Sequence, residues 1–260
     1  MGTPSGCRPA CDVSSMFHFP INLYIMIPKD FLTLFDGLSR SHGRVEVFRD
    51  FLDVFLYVLS CGYCREDYTR VCSMYDEQEI RVFMQMVQTV ADHSEGFSDV
   101  LGDIFMECIS HGHNGQFFTP QHVSDLMAEV TCCGIRPGQS VYDPTCGSGR
   151  MLLSAVRSLS RTDPNGRIFC YGSDIDLTCV KMTAINMLMN SIPGEVAWMN
   201  TLTMEHWRSY RTGLMRIGNF WLPTLKVLGA GETELVGRVK ETVKRSGHTA
   251  GSQLQLSFDF

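Results

Sequence analysis

Apolar positions recur at helical spacing through the first hundred residues, then give way to short apolar runs that end in glycine or proline. Pro28 suits the first turn of a helix whose apolar face is Phe31, Leu34, Phe35 and Leu38. A second helix is predicted from about Arg44 to Leu59, with Val45, Phe48, Phe51, Leu52, Phe55 and Leu59 inward. A third is predicted over Asp76–Asp92, where Phe83, Met84, Met86 and Val87 read as core, and a fourth over Ser98–Ile109. Next, Thr119 reads as the cap of a helix with Pro120 at its first position, continuing through Val123, Leu126, Met127 and Val130.

From there the pattern changes. Pro137-Gly138 turns into a strand at Ser140–Tyr142, and a helix carrying Met151, Leu152, Leu153, Ala155 and Val156 follows. Asp163-Pro164-Asn165-Gly166 is a second turn, leading to a strand at Arg167–Tyr171. A helix at Asp176–Met189 and a strand at Glu195–Trp198 complete three strand–helix repeats. Such alternation predicts an α/β fold with a parallel, doubly wound sheet, whose ligand lies at the carboxyl ends of the strands.

Two motifs sit at those ends. Tyr142-Asp143-Pro144-Thr145-Cys146-Gly147-Ser148-Gly149 is a strand running into a glycine turn and then a helix. Glycines there remove side-chain bulk, and a helix start offers main-chain N–H groups, so a ligand can approach bare backbone. Twenty-five residues beyond Gly149, Gly172-Ser173-Asp174-Ile175-Asp176 places a carboxylate where both hydroxyls of a ribose can donate to it. Upstream, Gly115-Gln116-Phe117-Phe118-Thr119-Pro120 makes the combination specific.

The stretch from about Asp99 to Leu202, two fifths of the chain, resembles the N6-adenine DNA methyltransferases, in particular the methylase subunit of type I restriction-modification systems. The matching pieces are Asp99–Phe105, Gly115–Pro120, Asp143–Gly149, Gly172–Asp176 followed by Asn186-Met187, and Asn200-Thr201-Leu202. The resemblance implies a doubly wound, mostly parallel class I methyltransferase (Rossmann-like) sheet preceded by a small helical domain. It implies S-adenosyl-L-methionine as cofactor and the exocyclic amine of adenine in DNA as acceptor. Residues Gln116, Phe118, Thr119 and Pro120 would then wrap the methionine end, Asp143, Gly147, Ser148 and Gly149 would line the cofactor turn, and Asp174 would hold the ribose. Asn200 stands where the family usually has Asp beside the adenine ring, and an amide both donates and accepts. No metal is expected. DNA and a specificity subunit or second methylase subunit are the implied partners.

One departure bears on catalysis. The family's tetrapeptide, Asn or Asp followed by Pro-Pro and an aromatic, has no counterpart, because no Pro-Pro occurs in the chain. An adenine amine is a poor nucleophile, its lone pair being delocalised into the ring. An amide and a proline-fixed carbonyl accept its hydrogens while the aromatic stacks on the flipped base. At the expected distance, roughly 20 residues past Asn200, lie Asn219, Phe220 and Trp221. Asn219 is the one catalytic candidate, either in a degenerate remnant of the tetrapeptide or at an ordinary strand end. The function expected is therefore site-specific adenine-N6 DNA methylation of the restriction-modification type. The alternative is a non-catalytic cofactor-binding subunit or decoy.

Composition narrows the class further. A content of 44% hydrophobic and 19% charged residues suits a globular chain with a full core. Residues 16–27 are apolar but short and interrupted by Pro20, giving neither a membrane span nor a signal peptide. Eleven cysteines without such a leader point to a reducing cytoplasm. Cys61, Cys64 and Cys72 could hold zinc only with a fourth ligand that the spacing does not supply, so small buried thiols are expected. His111-Gly112-His113 reads as a loop. The net charge of −6 disfavours gripping DNA over the whole surface. Yet Trp207–His248 carries eight Lys or Arg against three Glu, leaving −11 for the remainder. That section is either a phosphate-contacting surface or a solvated helical face.

The chain thus divides into an unpatterned, poorly ordered segment at 1–27, a helical domain at 28–114, an abbreviated cofactor-binding domain at 115–245, and a linker with a terminal peptide at 246–260. Gln253-Leu254-Gln255-Leu256-Ser257-Phe258 resembles the peptides that dock on the bacterial sliding clamp. Its period-two alternation equally fits an edge strand.

Overall fold

The computed structural model describes residues 27–110, 117–233 and 235. Gln116, the two histidines at 111 and 113, and the terminal peptide Gln253–Phe258 lie outside these residues.

The described chain begins with α1 (Lys29–Leu38), α2 (Arg44–Leu59), α3 (Arg65–Cys72), α4 (Glu77–His93) and α5 (Val100–Phe105), the last running into a π-helical turn at Met106–Ser110. Phe31, Phe35 and Leu38 of α1 are buried as their spacing predicts. On α2 the inward residue of the first turn is Val47, and Val45 is exposed. α4 starts at a capping box: the Asp76 carboxylate accepts the Gln78 and Glu79 N–H groups, both at 2.8 Å, and Glu79 accepts the Asp76 N–H at 3.0 Å. The periodicity did not predict α3, because Arg-Glu-Asp-Tyr-Thr-Arg-Val-Cys has no apolar stripe and buries only Val71. Beside it, Cys64 is buried as expected, whereas Cys61 and Cys72 are exposed.

The sheet has the order β1-β2-β3-β4-β5: β1 (Ser140–Asp143), β2 (Phe169–Asp174), β3 (Gly194–Asn200), β4 (Glu205–Ile217) and β5 (Phe220–Leu228). β1, β2 and β3 are parallel, joined through α7 (Arg150–Thr162) and α8 (Leu177–Met189), while β4 and β5 add on antiparallel. The α/β, Rossmann-like class is therefore borne out. The described strands run on from β1 to β5 without the reversal of order that gives a doubly wound sheet its second wing. What they form is one wing plus a hairpin. Gly194 opens β3 at a position only glycine can fill, since a Cβ there would lie 1.7 Å from the Cys170 carbonyl oxygen.

Alternation divides the strands between two faces. Val141, Cys170, Val196 and Trp198 meet the helical layer, in one continuous core that includes the phenylalanines of α1 and α2. Tyr142, Tyr171, Ala197 and Met199 face the other way, where Leu235 covers them. α8 is buried nearly all round, from Thr178 to Leu188, because it lies between the sheet and α2. One consequence is a buried cation. Lys181 Nζ is bonded to Asp53 of α2, whose other oxygen accepts from Arg70 at 2.8 Å. Burial pushes the Asp53 carboxyl pKa up, and Lys181 opposes that shift.

α6 (Gln121–Thr131) lies against α7 through Ser124 and Ala128. It begins at Gln121 with Pro120 at the cap position and no side-chain cap bond, so Thr119 is not the cap its sequence suggests and has another use described below. Its apolar residues face outward: Val123, Leu126, Met127 and Val130 are 36%, 60%, 46% and 69% exposed.

No helix among the described residues is long and apolar enough to cross a membrane.

Candidate cofactor site at the carboxyl ends of the strands

Three parallel strands deliver Asp143, Asp174 and Asn200 to the same end of the sheet. The glycine turn after β1 crosses this end. Gly147 and Gly149 have φ of 55° and 88°, in the left-handed region, and Gly149 caps α7. Gly147 N–H donates to Asp174 Oδ2 at 3.0 Å, and Asp176 N–H donates to Asp174 Oδ1 at 2.9 Å. Asp143 Oδ1 accepts from Thr145 N–H at 3.0 Å. Hydroxyl groups tie the strand ends together. Thr201 and Ser173 both donate to the Pro144 carbonyl, at 2.9 and 3.1 Å, and Tyr142 Oη lies 2.8 Å from Ser173 Oγ.

Burial raises the pKa of both Asp143 and Asp174, and each carboxyl is raised further by a neighbouring one, Asp143 by Asp174 and Asp174 by Asp176. Carboxylates gathered in one half-buried end disfavour their own ionisation. A ligand that brings positive charge and hydroxyl donors relieves that cost, whereas an anionic ligand adds to it.

Around the turn the fit is close. A Cβ on Gly147 would lie 3.1 Å from the Phe118 ring, and one on Gly149 3.0 Å from Thr183. Phe118 is stacked on Phe105, with centroids 5.3 Å apart and planes 18° apart. The Gly-Gln-Phe-Phe-Thr-Pro block therefore reaches the cofactor turn through Phe118, while Phe117 is exposed. Thr119 contributes its carbonyl, which accepts from Arg150 Nη1 at 3.1 Å, and Pro120 is exposed just ahead of α6.

Ser148 does not point to the ligand side. Its hydroxyl donates to Asp99 and is buried. Asp99, fully buried, also accepts from Gly102 N–H, Arg150 Nε and Asn186 Nδ2, each at 2.9 Å. Asn186 donates in addition to the Ser148 carbonyl at 2.8 Å, and Arg150 reaches Asp103 at 2.5 Å. One carboxylate thus fixes the cofactor turn, α5, α7 and α8 relative to one another. Sequence reasoning placed Asp99 and Asn186 within matching blocks but gave them no task. The available signal was a carboxylate opening an apolar helix, and a lone amide inside another.

Asn200 is constrained more than its side chain suggests. Its Oδ1 accepts from Leu202 and Thr203 N–H groups at 3.0 and 3.2 Å, so both lone pairs are engaged and only Nδ2 is left to donate. Ile175 and Leu202 are 64% and 95% exposed, following Asp174 in one case and Asn200 in the other. They were not singled out from sequence, because isolated apolar residues in loops carry no periodicity.

Asn219 is not brought to this site. β4 runs antiparallel to β3, starting beside Asn200 and passing Gly194, so the Gly218-Asn219 turn lies beyond the amino end of the sheet. Along β4 that is roughly 40 Å from the cofactor end at the rise of an extended strand. Gly218, with φ of 60°, occupies the first position of a two-residue hairpin turn, where glycine is favoured. The candidate was sought at the carboxyl end of a further parallel strand. An antiparallel one points the other way.

The basic section is strand as far as Leu228, so the helical reading does not apply there. Arg208 and Arg211 are paired with Asp67 and Glu195 at 3.4 and 2.8 Å, while Arg216 and Lys226 are exposed. A cavity of about 640 Å³ opens between α2, α3, α8 and β3–β4, walled by the Asp50, Asp53, Arg70 and Lys181 ion pairs. Among the described residues no group of three or more His, Cys, Asp or Glu is arranged to hold a metal ion.

Strand–turn–helix geometry with an acidic residue at the end of the second strand is an arrangement shared with the nucleotide-binding α/β proteins. Residues 97–217 match the family described as N-6 DNA Methylase, and over that segment the resemblance to the N6-adenine DNA methyltransferases is borne out. The chain is 30% identical over 121 residues to the type I restriction enzyme MpnII methylase subunit of Mycoplasma pneumoniae, covering 43% of this chain and 22% of that one. It is 31% identical over 103 residues to the type II restriction enzyme and methyltransferase RM.BcgI of Heyndrickxia coagulans, covering 35% and 16%. The chain thus spans about a fifth of the length of the curated relatives it matches. A crystal structure of the type I restriction-modification system methyltransferase subunit from Streptococcus thermophilus aligns with a TM-score of 0.33 at 21% identity, over 63% of this chain and 37% of that one.

Proposed function

We propose that the chain binds S-adenosyl-L-methionine and serves adenine-N6 methylation of DNA as a methylase subunit of the restriction-modification kind. The observation that carries this reading is the cofactor end itself: a turn in which Gly147, at a left-handed φ of 55° and close against Phe118, is bonded to the Asp174 carboxylate, with Asp143 on the neighbouring strand.

The residues fit the cofactor. Its sulfonium and ammonium groups are cationic and its ribose hydroxyls are donors, matching a site whose burden is uncompensated carboxylate. Asp174 would take the ribose and Asp143 the cationic end, while Ile175 and Leu202 offer apolar contact to the base and Asn200 Nδ2 a donor. Phe118 closes the turn from above. When bound, the cofactor supplies a methyl group activated by its positive sulfur. The chain's own part is to orient the donor and exclude water from it.

A group that accepts the hydrogens of the adenine amine is also needed, and Asn219 stands at the opposite end of the sheet. That task is therefore assigned to residues outside the described ones or to a partner subunit. Support for a partner comes from the MpnII relative, which is named as a methylase subunit. The described cysteines are all free thiols, in keeping with a cytoplasmic setting.

Calorimetric titration of the purified chain with S-adenosyl-L-methionine tests the reading, followed by tritiated-methyl transfer to adenine-containing DNA. Saturable binding with transfer into adenine is expected. An Asn219→Ala chain should bind and transfer as the parent does. A well-folded chain that releases no heat with the donor overturns the proposal. Binding without transfer would favour a cofactor-binding subunit that is not itself catalytic.

A further inference from the structure

We infer that the outer face of α6 is a self-association surface, on which a second copy of this chain docks across a two-fold axis. Val123, Leu126, Met127 and Val130 follow the i, i+3, i+4, i+7 spacing that normally marks the buried side of a helix, yet all four are exposed. The opposite side of α6 is already used: Ser124 and Ala128 are buried against α7.

Charge decides which occupant suits the face. The two acidic residues of α6 point away from it and are neutralised by α7, Asp125 by Arg157 at 2.7 Å and Glu129 by Arg161 at 2.5 Å. The margins of the seam hold His122 and Thr131, so two identical faces meet without like charges opposed. A different partner is usually selected by complementary charge, and here there is none for it to read. In an antiparallel arrangement about an axis near Leu126, Val123 of one copy faces Val130 of the other, and the seam is its own complement.

Area sets the strength. Each copy offers on the order of 400 Å² of apolar side chain, within the size range of functional patches. Two copies with their helix margins bury on the order of 1,000 Å², the lower bound for a specific interface. The dimer is accordingly a weak and reversible one.

Sedimentation equilibrium of the full chain from about 1 to about 100 µM, the range in which a weak dimer dissociates, reads the association directly. A concentration-dependent dimer is expected. A Leu126→Glu, Val130→Glu chain should sediment as a monomer with an unchanged far-UV circular dichroism spectrum, since both side chains are on the surface. Hydrogen exchange of the α6 amides, measured at both ends of the concentration range, completes the test; protection should rise with concentration. A parent chain that stays monomeric throughout overturns the inference, as does a dimer that survives the double substitution. Protection that does not vary with concentration also overturns it, because another segment of the same chain then covers the seam.

Discussion

Replacing Asp174 by Asn separates what this residue does for the fold from what it does for the ligand. In the free chain its two oxygens accept the Gly147 and Asp176 N–H groups, and the side chain is half-buried with the Asp176 charge nearby. Burial is the largest influence on its pKa and raises it above the usual 3.8. A carboxyl whose folded pKa is raised gives its full contribution to stability below about pH 3.8, and that contribution is lost as pH rises through the folded value. At neutral pH the wild-type chain bears the cost of an ionised Asp174, and the amide does not. The Asn chain escapes that cost, but its Nδ2 faces one of the two N–H groups, which loses its acceptor. The two effects oppose, so its stability at pH 7 should lie within about 1 kcal/mol of the parent's, and relative to the parent it should fall toward pH 4. Ligand binding should weaken. A bond to a charged acceptor is worth about 1.5–3 kcal/mol, and the amide keeps one acceptor while turning a donor toward the other ribose hydroxyl. A loss of about 2 kcal/mol corresponds to roughly thirtyfold weaker binding of S-adenosyl-L-methionine. Calorimetric titration and urea unfolding at two pH values measure both. The reasoning is refuted by an affinity loss under tenfold in a folded chain, or by a variant whose stability relative to the parent does not fall between pH 7 and pH 4.

Gly102→Ala should destabilise the chain by about 2 kcal/mol or more, because overpacking a buried site typically costs 1–3 kcal/mol. The added Cβ would stand 2.1 Å from Asp99 Oδ2 and 2.5 Å from Ser148 Oγ. Urea unfolding should show the loss, with weaker cofactor binding alongside, since Asp99 and the turn must both shift. Lys181→Met leaves Asp53 buried with only Arg70, and breaking such a pair costs on the order of 3 kcal/mol. Stability of that variant should fall as pH rises through the raised Asp53 pKa, because ionisation then places an underpaired charge in the core. Thermal unfolding across pH 4–8 follows this, and a pH-independent loss would contradict it. Binding of the donor to the wild-type chain should weaken as pH falls through the raised pKa values of Asp143 and Asp174, and flat affinity over that range would contradict the assigned electrostatics.

The legible parts of the sequence were those with local causes. Phe31, Phe35, Phe48, Phe51 and Phe55 are buried because spacing alone assigns a helical face its side. The glycine turn and Asp174 were readable because a tight turn after a strand needs glycine whatever else the fold does. The direction of β4 was not readable. Val196, Tyr210 and Leu225 are all buried in one sheet core, and alternation looks the same in a parallel and an antiparallel strand. Asn219 was misplaced for this reason. The Asp99 cluster was hidden for another: its partners lie 3, 49, 51 and 87 residues away, and nothing in the chain announces which polar groups meet. The outward seam of α6 shows the converse, a local pattern that the tertiary structure leaves unused.

The bonds at Asp99 also govern where the polypeptide can be cut. A fragment beginning at residue 115 would retain Ser148, Arg150 and Asn186 but lose the carboxylate to which all three donate, leaving Arg150 the Thr119 carbonyl, Asn186 the Ser148 carbonyl, and the Ser148 hydroxyl without its acceptor. The smallest expressible unit must begin upstream of this aspartate, and the family-matched segment, which opens at residue 97, does so by two residues. Trimming the helical portion away to obtain a minimal donor-binding fragment would loosen the very loop the fragment was meant to preserve.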